Sequence, residues 1–273
     1  MSLAPDCRRL FDLLAGFDSV IVAFSGGVDS AYLAWAATEV LGRDRTLCIT
    51  ADSPSYPDRH RQLAFSVARD FRLRHEIVRT GEVERADYRA NPVNRCYYCK
   101  HELYTTLMSM AGERGFQTIV DGSNADDRGD YRPGRQAARE FGVRSPLDEV
   151  DLTKADIREL SRQAGLPTWD EPASACLSSR IPYHSEVTRE KLQMIERAER
   201  VLRDLGFRVC RVRHHDAVAR VEIGRDELPR AMQAETGARI LREIRALGFA
   251  DVEIDPRGYR MGSLNEGLVL RPA

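Results

Sequence analysis

The chain has 273 residues, 42% hydrophobic and 30% charged, with a formal net charge of -1 and a pI ≈ 6.6. That balance excludes disordered and fibrous classes, and no apolar run approaches the ~20 residues that span a bilayer. Domains run to roughly 100–200 residues, so two are expected. A near-neutral charge supplies no overall basic field to hold a polyanion, and nucleic-acid binding is not expected without a local patch. Met1 to Asp18 carries Asp6, Arg8, Arg9 and Asp12 rather than the basic-then-apolar order of a secretory signal, so a cytoplasmic location is expected.

Leu10, Leu13 and Leu14 predict a first helix ending at Gly16. Val20 to Phe24 is a short continuous apolar run, the mark of a strand buried on both faces of a parallel sheet. Leu33, Ala36, Ala37, Val40 and Leu41 then recur at helical spacing. The alternation repeats with a strand at Thr46 to Thr50, a helix from Asp58 to Phe71, a strand at His75 to Val78, a helix from Cys96 to Gly112 and a strand at Gln117 to Asp121. Repeated βα units mean a doubly wound parallel sheet with helices on both faces, expected over residues 1–170. Pro167 to Pro182 lacks periodicity and holds three prolines, so 171–185 reads as a linker. After it, a helix through Leu192, Ile195, Ala198, Leu202 and Leu205, strands at 208–213 and 217–223, a helix from Ala238 to Leu247 and a strand at Val252 to Ile254 predict a smaller α+β domain over 186–273.

Between the first strand and its helix stands Ser25-Gly26-Gly27-Val28-Asp29-Ser30. A strand turning into a helix this way points backbone N–H groups and the positive end of the helix dipole at one place, where phosphate binds. Gly26 and Gly27 permit close approach, and Ser25 and Ser30 can donate hydroxyl hydrogen bonds. Asp29 repels phosphate unless Mg2+ bridges the two, which makes it a candidate metal ligand. Two glycines alone also make an ordinary tight turn, but the whole segment in this setting is the signature of the PP-loop ATP pyrophosphatases. These split ATP into AMP and pyrophosphate to adenylate a substrate. Thr50-Ala51-Asp52-Ser53 and Asp121-Gly122-Ser123-Asn124-Ala125-Asp126-Asp127 follow later strands, where open α/β sheets bind ligands; Asp126 is a second candidate for ATP or its metal, and polar turns are the plainer reading of both.

Of six cysteines, Cys7, Cys48 and Cys210 lie in apolar patterns and are expected to be core thiols. Cys96 and Cys99 form a CxxC pair, too few ligands by themselves for a zinc or cluster site. Cys176 stands in a loop of small residues with Arg180 four positions on, a setting that favours thiolate and nucleophilic chemistry, although a chance loop cysteine is also compatible with it.

Ser25 to Ser30, Asn94-Arg95-Cys96-Tyr97-Tyr98-Cys99-Lys100, Asp121 to Asp127, Pro172-Ala173-Ser174-Ala175-Cys176-Leu177-Ser178-Ser179-Arg180 and Gly258-Tyr259-Arg260-Met261-Gly262 together resemble the LarE family of ATP-dependent sacrificial sulfur transferases, in order and over nearly the whole chain. The resemblance implies an adenine nucleotide alpha hydrolase-like fold. It also implies adenylation of a carboxylate of pyridinium-3,5-biscarboxylic acid mononucleotide with ATP and Mg2+, a thioester to Cys176, and cleavage of the cysteine Cβ–S bond to leave dehydroalanine. The thiocarboxylate product leads to the nickel-pincer cofactor of lactate racemase. Matching positions make Ser25, Gly26, Gly27, Asp29, Ser30 and Asp126 the ATP site, and Ser179, Arg180, Arg211 and Arg213 the substrate-phosphate site. A solvated sheet face is the alternative for the Arg211-Val212-Arg213 stretch. A homo-oligomer is expected.

The base that removes the Cα proton is not assigned by the sequence; Glu199, Glu222 and Asp170 are candidates. In a rival reading Cys96, Cys99 and Cys176 hold a [4Fe-4S] cluster, as in some tRNA-thiolating PP-loop enzymes, with Arg208, Arg211, Arg213 and Arg220 as the local basic patch. A third reading, an amide-forming synthetase like NAD synthetase, leaves Cys176 idle.

Overall fold

Apolar β-branched runs and amphipathic stretches alternate along the first half of the chain, and they order its elements. A computed structural model describes residues 5–129, 131–172 and 175–260. In chain order these hold α1 (Pro5–Ala15), β1 (Val20–Ala23), α2 (Val28–Leu41), β2 (Thr46–Asp52), α3 (Asp58–Asp70), β3 (His75–Arg79), α4 (Ala86–Arg89), α5 (Arg95–Arg114), β4 (Thr118–Val120), α6 (Gly134–Glu140), α7 (Pro146–Glu149) and α8 (Lys154–Gln163). There follow α9 (Arg189–Asp204), β5 (Cys210–His215), β6 (Val218–Ile223), α10 (Leu228–Ala231), α11 (Ala234–Arg245) and β7 (Asp251–Ile254).

The first sheet has the order β3-β2-β1-β4, and every pairing is parallel. β1 is fully buried, and its two faces feed two cores. Val20 and Val22 pack with α1, α2, α3 and α8 through Leu10, Leu14, Leu33, Ala37, Val67 and Ile157. Ile21 and Ala23 point the other way, against Tyr104 and Leu107 of α5 and Ala137 of α6. A two-residue side-chain period with both faces covered is the doubly wound arrangement expected from the sequence. Cys48 lies in this core, where burial pushes its thiol up to about 12.

The second sheet is β5-β6-β7, with β5 and β6 an antiparallel hairpin and β6 and β7 parallel. One face, with Cys210, Val212, Ala219 and Val221, packs on Ala198 and Leu202 of α9 and on Ile240 and Ile244 of α11. This is the smaller α+β unit anticipated after the proline-rich stretch.

The chain divides into two compact units in a way that residue order does not announce. Among described residues the first holds 5–82, 94–129 and 131–172; the second holds 83–93 and 175–260. The expected single cut near residue 170 thus meets a division in which a strap from the first half, Val83–Val93, belongs with the second. Within that unit Tyr88 Oη and Ser178 Oγ share a buried hydrogen bond of 2.7 Å. The side-chain amide of Asn91 donates to the carbonyls of Ile181, Pro182 and Ser185 at 3.3, 2.7 and 3.0 Å. Asn91 adopts φ 53, a left-handed conformation that asparagine tolerates better than most residues. Asn91→Ala removes the donor and keeps the backbone strain, so a loss of about 2–4 kcal/mol is expected, read as a lower urea midpoint.

Candidate active site

The phosphate loop lies where β1 gives way to α2. Gly26 has φ 68, and a Cβ added there would stand 2.9 Å from the Cβ and the backbone nitrogen of Ala64 in α3. Only glycine meets both demands, and Ala64 on the facing helix is itself small. Gly27 is the N-cap of α2 and offers no side-chain cap, so the helix N-terminus is left for another acceptor. Ser30 is buried; its Oγ donates to the Gly27 carbonyl at 3.1 Å and accepts from the Ser25 N–H at 3.1 Å, while the two serine hydroxyls also meet at 3.1 Å. Tyr56 Oη donates to the Ser25 carbonyl at 2.9 Å.

Gly122, at the start of the loop after β4, comes so close to this turn that a Cβ would sit 2.9 Å from the Ser30 nitrogen. The Asp121 to Asp127 segment therefore abuts the first turn of α2. Asp121 accepts from Tyr104 Oη at 2.7 Å, Ser145 Oγ at 2.8 Å and the Ser123 N–H at 3.1 Å. Burial works to raise its carboxyl pKa, but Lys100 and these donors outweigh it and hold it below the usual range.

Asp29 and Asp126 are both tied to a residue that motif reading misses. Lys154 Nζ donates to Asp29 Oδ2, and the Lys154 backbone N–H donates to Asp126 Oδ2 at 2.9 Å. Lys154 opens α8 behind Thr153, whose capping box with Asp156 fixes the helix start. A lysine there opposes the helix dipole, and that mismatch was the available signal. Asp127, a second missed residue, is buried and pairs with Arg132 at 2.9 Å; burial and then Asp29 raise its carboxyl. Asp29 Oδ1 is buried without a hydrogen-bond partner. An unsatisfied carboxylate oxygen beside a phosphate loop fits a hard divalent cation such as Mg2+.

In the second unit Cys176 is half-buried and opens a 3-10 turn over Leu177–Arg180. Arg180 does not present its guanidinium to a ligand as the motif suggested: it is 1% exposed. Its Nε and Nη2 bind the two carboxylate oxygens of Glu199 at 2.8 and 3.2 Å. Its Nη1 reaches the Ala175 carbonyl, the Cys176 carbonyl and Ser179 Oγ at 2.7, 3.0 and 2.9 Å. Burial acts against this cation, but Glu199 outweighs it and raises the guanidinium pKa.

Arg211 and Arg213 lie on one face of β5, opposite the core residues Cys210 and Val212, and both are buried. Arg213 binds Glu222 through Nε and Nη2 at 3.0 and 2.8 Å and the Ser179 carbonyl through Nη1 at 2.8 Å. Arg211 stacks on Tyr259 with its guanidinium 5.1 Å from the ring centre. Burial first and the neighbouring Arg180 second lower its pKa. A cation disfavoured by burial and by a like charge marks a place where an anion is stabilised. The sheet does not carry the surface basic patch of the tRNA reading, since Arg211 and Arg213 are buried and Arg220 pairs with Glu253 at 2.6 Å.

The candidate bases separate by environment. Glu199 is buried, binds Arg180 and accepts the Val212 N–H at 3.2 Å; burial works to raise its carboxyl, but Arg180 outweighs it and the pKa is lowered. Glu222 is held by Arg213. Asp170 is exposed and lies in the first unit beside Trp169. Cys96 is exposed and Cys99 half-buried on the first turn of α5, in the first unit, whereas Cys176 belongs to the second. Among the described residues of neither unit do three His, Cys, Asp or Glu side chains gather as a metal centre needs. Ala173, Ser174, Met261 and Gly262 of the motifs lie outside the described residues.

A profile of the NAD synthase family matches residues 13–92, the stretch that contains the phosphate loop. A pyridinium-3,5-bisthiocarboxylic acid mononucleotide synthase of Lactiplantibacillus plantarum is 34% identical over 98% of this chain and 96% of its own. The chain belongs to the LarE family. Uncharacterized proteins of Synechocystis and Methanocaldococcus jannaschii are 43% and 29% identical over 97% and 88% of this chain, and 99% and 90% of theirs. LarE membership agrees with a parallel sheet carrying a PP-loop and a separate, smaller mixed sheet later in the chain.

Two outcomes follow from the first unit. Gly26→Ala meets Ala64 in a strained backbone conformation, so a loss of about 1–3 kcal/mol in thermal unfolding and a loss of the shift that ATP confers are expected. Asp121 has a depressed folded-state pKa, so its stabilisation is complete above its unfolded value near pH 4 and is lost as pH falls through the lower folded value. Asp121→Asn should flatten that acid loss, measured as urea midpoints between about pH 3 and 6.

Proposed function

We propose that this protein is an ATP-dependent sulfur transferase that converts a carboxylate of pyridinium-3,5-biscarboxylic acid mononucleotide into a thiocarboxylate with sulfur from Cys176. The observation that carries the reading is the near full-length match to a synthase whose name states the dithio form of this product, in a chain that keeps both the phosphate loop and Cys176.

The roles follow from chemistry. A carboxylate resists thiolate attack because its oxide is a poor leaving group; joining it to AMP supplies a good one. Backbone N–H groups of the Gly26-Gly27 turn, the Ser25 and Ser30 hydroxyls and the α2 dipole hold the phosphates. Asp29, with its unsatisfied Oδ1, and Asp126 would hold Mg2+, which would offset the charge of the triphosphate and the departing pyrophosphate. Cys176 attacks the activated acyl carbon, giving a thioester. Sulfur attached to an acyl group is a better leaving group than a thiolate, so loss of the Cys176 Cα proton expels thiocarboxylate and leaves dehydroalanine.

Arg211 and Arg213, with Ser179, take the substrate phosphate in this reading, supported by the cationic surplus behind β5. Resting on the family resemblance, the same reading gives the protein a cytoplasmic place in nickel-pincer cofactor synthesis for lactate racemase, as a homo-oligomer.

The NAD synthase profile match favours one rival, amide formation from the same adenylate. Intact mass after turnover with ATP, Mg2+ and the pyridinium substrate separates the two. Loss of the mass of hydrogen sulfide, localised to Cys176, is expected, and Cys176→Ala should release pyrophosphate yet form no thiocarboxylate. A fully active Cys176→Ala would sink the proposal, and product formed with unchanged protein mass would point to a cluster route instead.

A further inference from the structure

The carbonyl oxygen of Cys176 is heavily bonded for a loop carbonyl. It accepts the Ser179 N–H at 3.0 Å, the Ser179 hydroxyl at 2.8 Å and Arg180 Nη1 at 3.0 Å. A neutral peptide carbonyl in an exposed or half-exposed turn needs one donor, or two at most. Here Ser179 supplies two, and the third is shared: Arg180 Nη1, part of a cation withdrawn from water, divides its two hydrogens among the Cys176 carbonyl, the Ala175 carbonyl at 2.7 Å and Ser179 Oγ. The donors are also fixed in advance. Arg180 is clamped by Glu199 through Nε and Nη2, so only Nη1 faces the loop, and the same Nη1 donates to Ser179 Oγ at 2.9 Å, which aims that hydroxyl's own hydrogen at the Cys176 oxygen. Arg180 also acts on the thiol by its charge, but among the described residues these hydrogen bonds go to the backbone oxygen. The grip is on the backbone of residue 176.

Resting on the sulfur-transfer reading, we propose that Ser179 and Arg180 form an oxyanion hole for the enolate of Cys176 during cleavage of its own Cβ–S bond. The difficulty of that cleavage is the acidity of a peptide Cα–H. When a base takes the Cα proton, the electron pair moves into the Cα–C bond and the charge appears on the Cys176 carbonyl oxygen. When the enolate collapses, the pair forms the Cα=Cβ double bond, the Cβ–S bond breaks, and the sulfur leaves as the thiocarboxylate anion. The proton stays on the base, dehydroalanine stays in the chain, and no electrons are gained or lost. Donors that bind the carbonyl modestly bind the enolate oxygen far more strongly, and because they are already in position no reorganisation is needed. Ser179 and Arg180 are therefore catalytic residues of elimination, a step distinct from adenylation and from thioester formation.

The test is single-turnover intact mass of the full chain with saturating ATP, Mg2+ and pyridinium-3,5-biscarboxylic acid mononucleotide, following the thioester adduct on Cys176 and then the loss of sulfur. In Ser179→Ala the adduct should form but decay roughly 100-fold more slowly, the usual cost of one oxyanion-hole donor. Its decay should also show a larger isotope effect when the Cys176 Cα carries deuterium, a change that a merely structural residue would not produce. Any part Ser179 has in holding the substrate raises the concentration needed to form adduct and leaves decay of formed adduct untouched. Arg180→Lys, checked for folding by circular dichroism, should likewise stall at the adduct. Decay at the wild-type rate in Ser179→Ala overturns the inference. A wild-type protein that forms neither adduct nor sulfur-depleted chain overturns the sulfur-transfer reading beneath it, and the two failures are thus distinct.

Discussion

The buried pair of Arg180 and Glu199 is the interaction on which the second unit is organised. The two side chains are 1% and 2% exposed, and taking such charges out of water costs several kcal/mol for each ion unless partners satisfy them fully. Both are satisfied. Glu199 receives both ends of the guanidinium and the Val212 N–H of β5, and Arg203 lies 3.6 Å from its second oxygen. One helix, one strand and the Cys176 turn are thus fixed to a single ion pair. A buried ion pair is weak evidence for stability, because apolar residues of similar volume often do as well. Its worth here is positional: a hydrophobic replacement could fill the space but could not present a cation to the Cys176 carbonyl.

That arrangement leaves its mark on the neighbouring strand. Arg211 loses affinity for its proton because water is excluded and Arg180 is close, and Glu199 works against that loss. Arg180 is turned inward to the loop, and Arg211 and Arg213 lie on one face of β5. In the first unit glycine does what the ion pair does in the second. Gly26 and Gly122 let α3 and the loop after β4 close on the turn into α2, so the cradle is shaped by backbone contact at under 3.0 Å from where a Cβ would stand.

Much of this was legible in the sequence, and what was not has physical reasons. Strands β1 and β2 declared themselves by largely apolar runs, and α2 and α9 by helical spacing, because burial shapes both patterns; β3 carries His75, Glu76 and Arg79 and is only half-buried. The Ser25 to Ser30 loop was legible because its chemistry is local. Arg180 was read as a phosphate ligand, and a motif shows that a charge is present but not that it is buried against Glu199. The better clue lay 19 residues on, where Glu199 interrupts the apolar face formed by Leu192, Ile195 and Leu202 and so had to be buried with a partner. The Val83–Val93 strap was invisible for the same reason, since Tyr88 acts on Ser178, 90 positions away, through a contact that no local period encodes; Lys154 left only the sign of a lysine at a helix N-terminus, with Asp29 125 positions away.

A sacrificial residue poses a structural problem that an ordinary nucleophile does not, since the loop must survive the loss of the side chain that defines its purpose. Cys176 has φ -60 and ψ 157, a polyproline-like conformation that leads into the Leu177–Arg180 turn. Among the described residues three hydrogen bonds run to its carbonyl oxygen, which is no part of the side chain. Ser178 and Tyr88 hold the following turn from the other side without touching the sulfur. If Cys176 gives up its sulfur as proposed, the Ser179 and Arg180 donors to its carbonyl oxygen are still present in the spent chain.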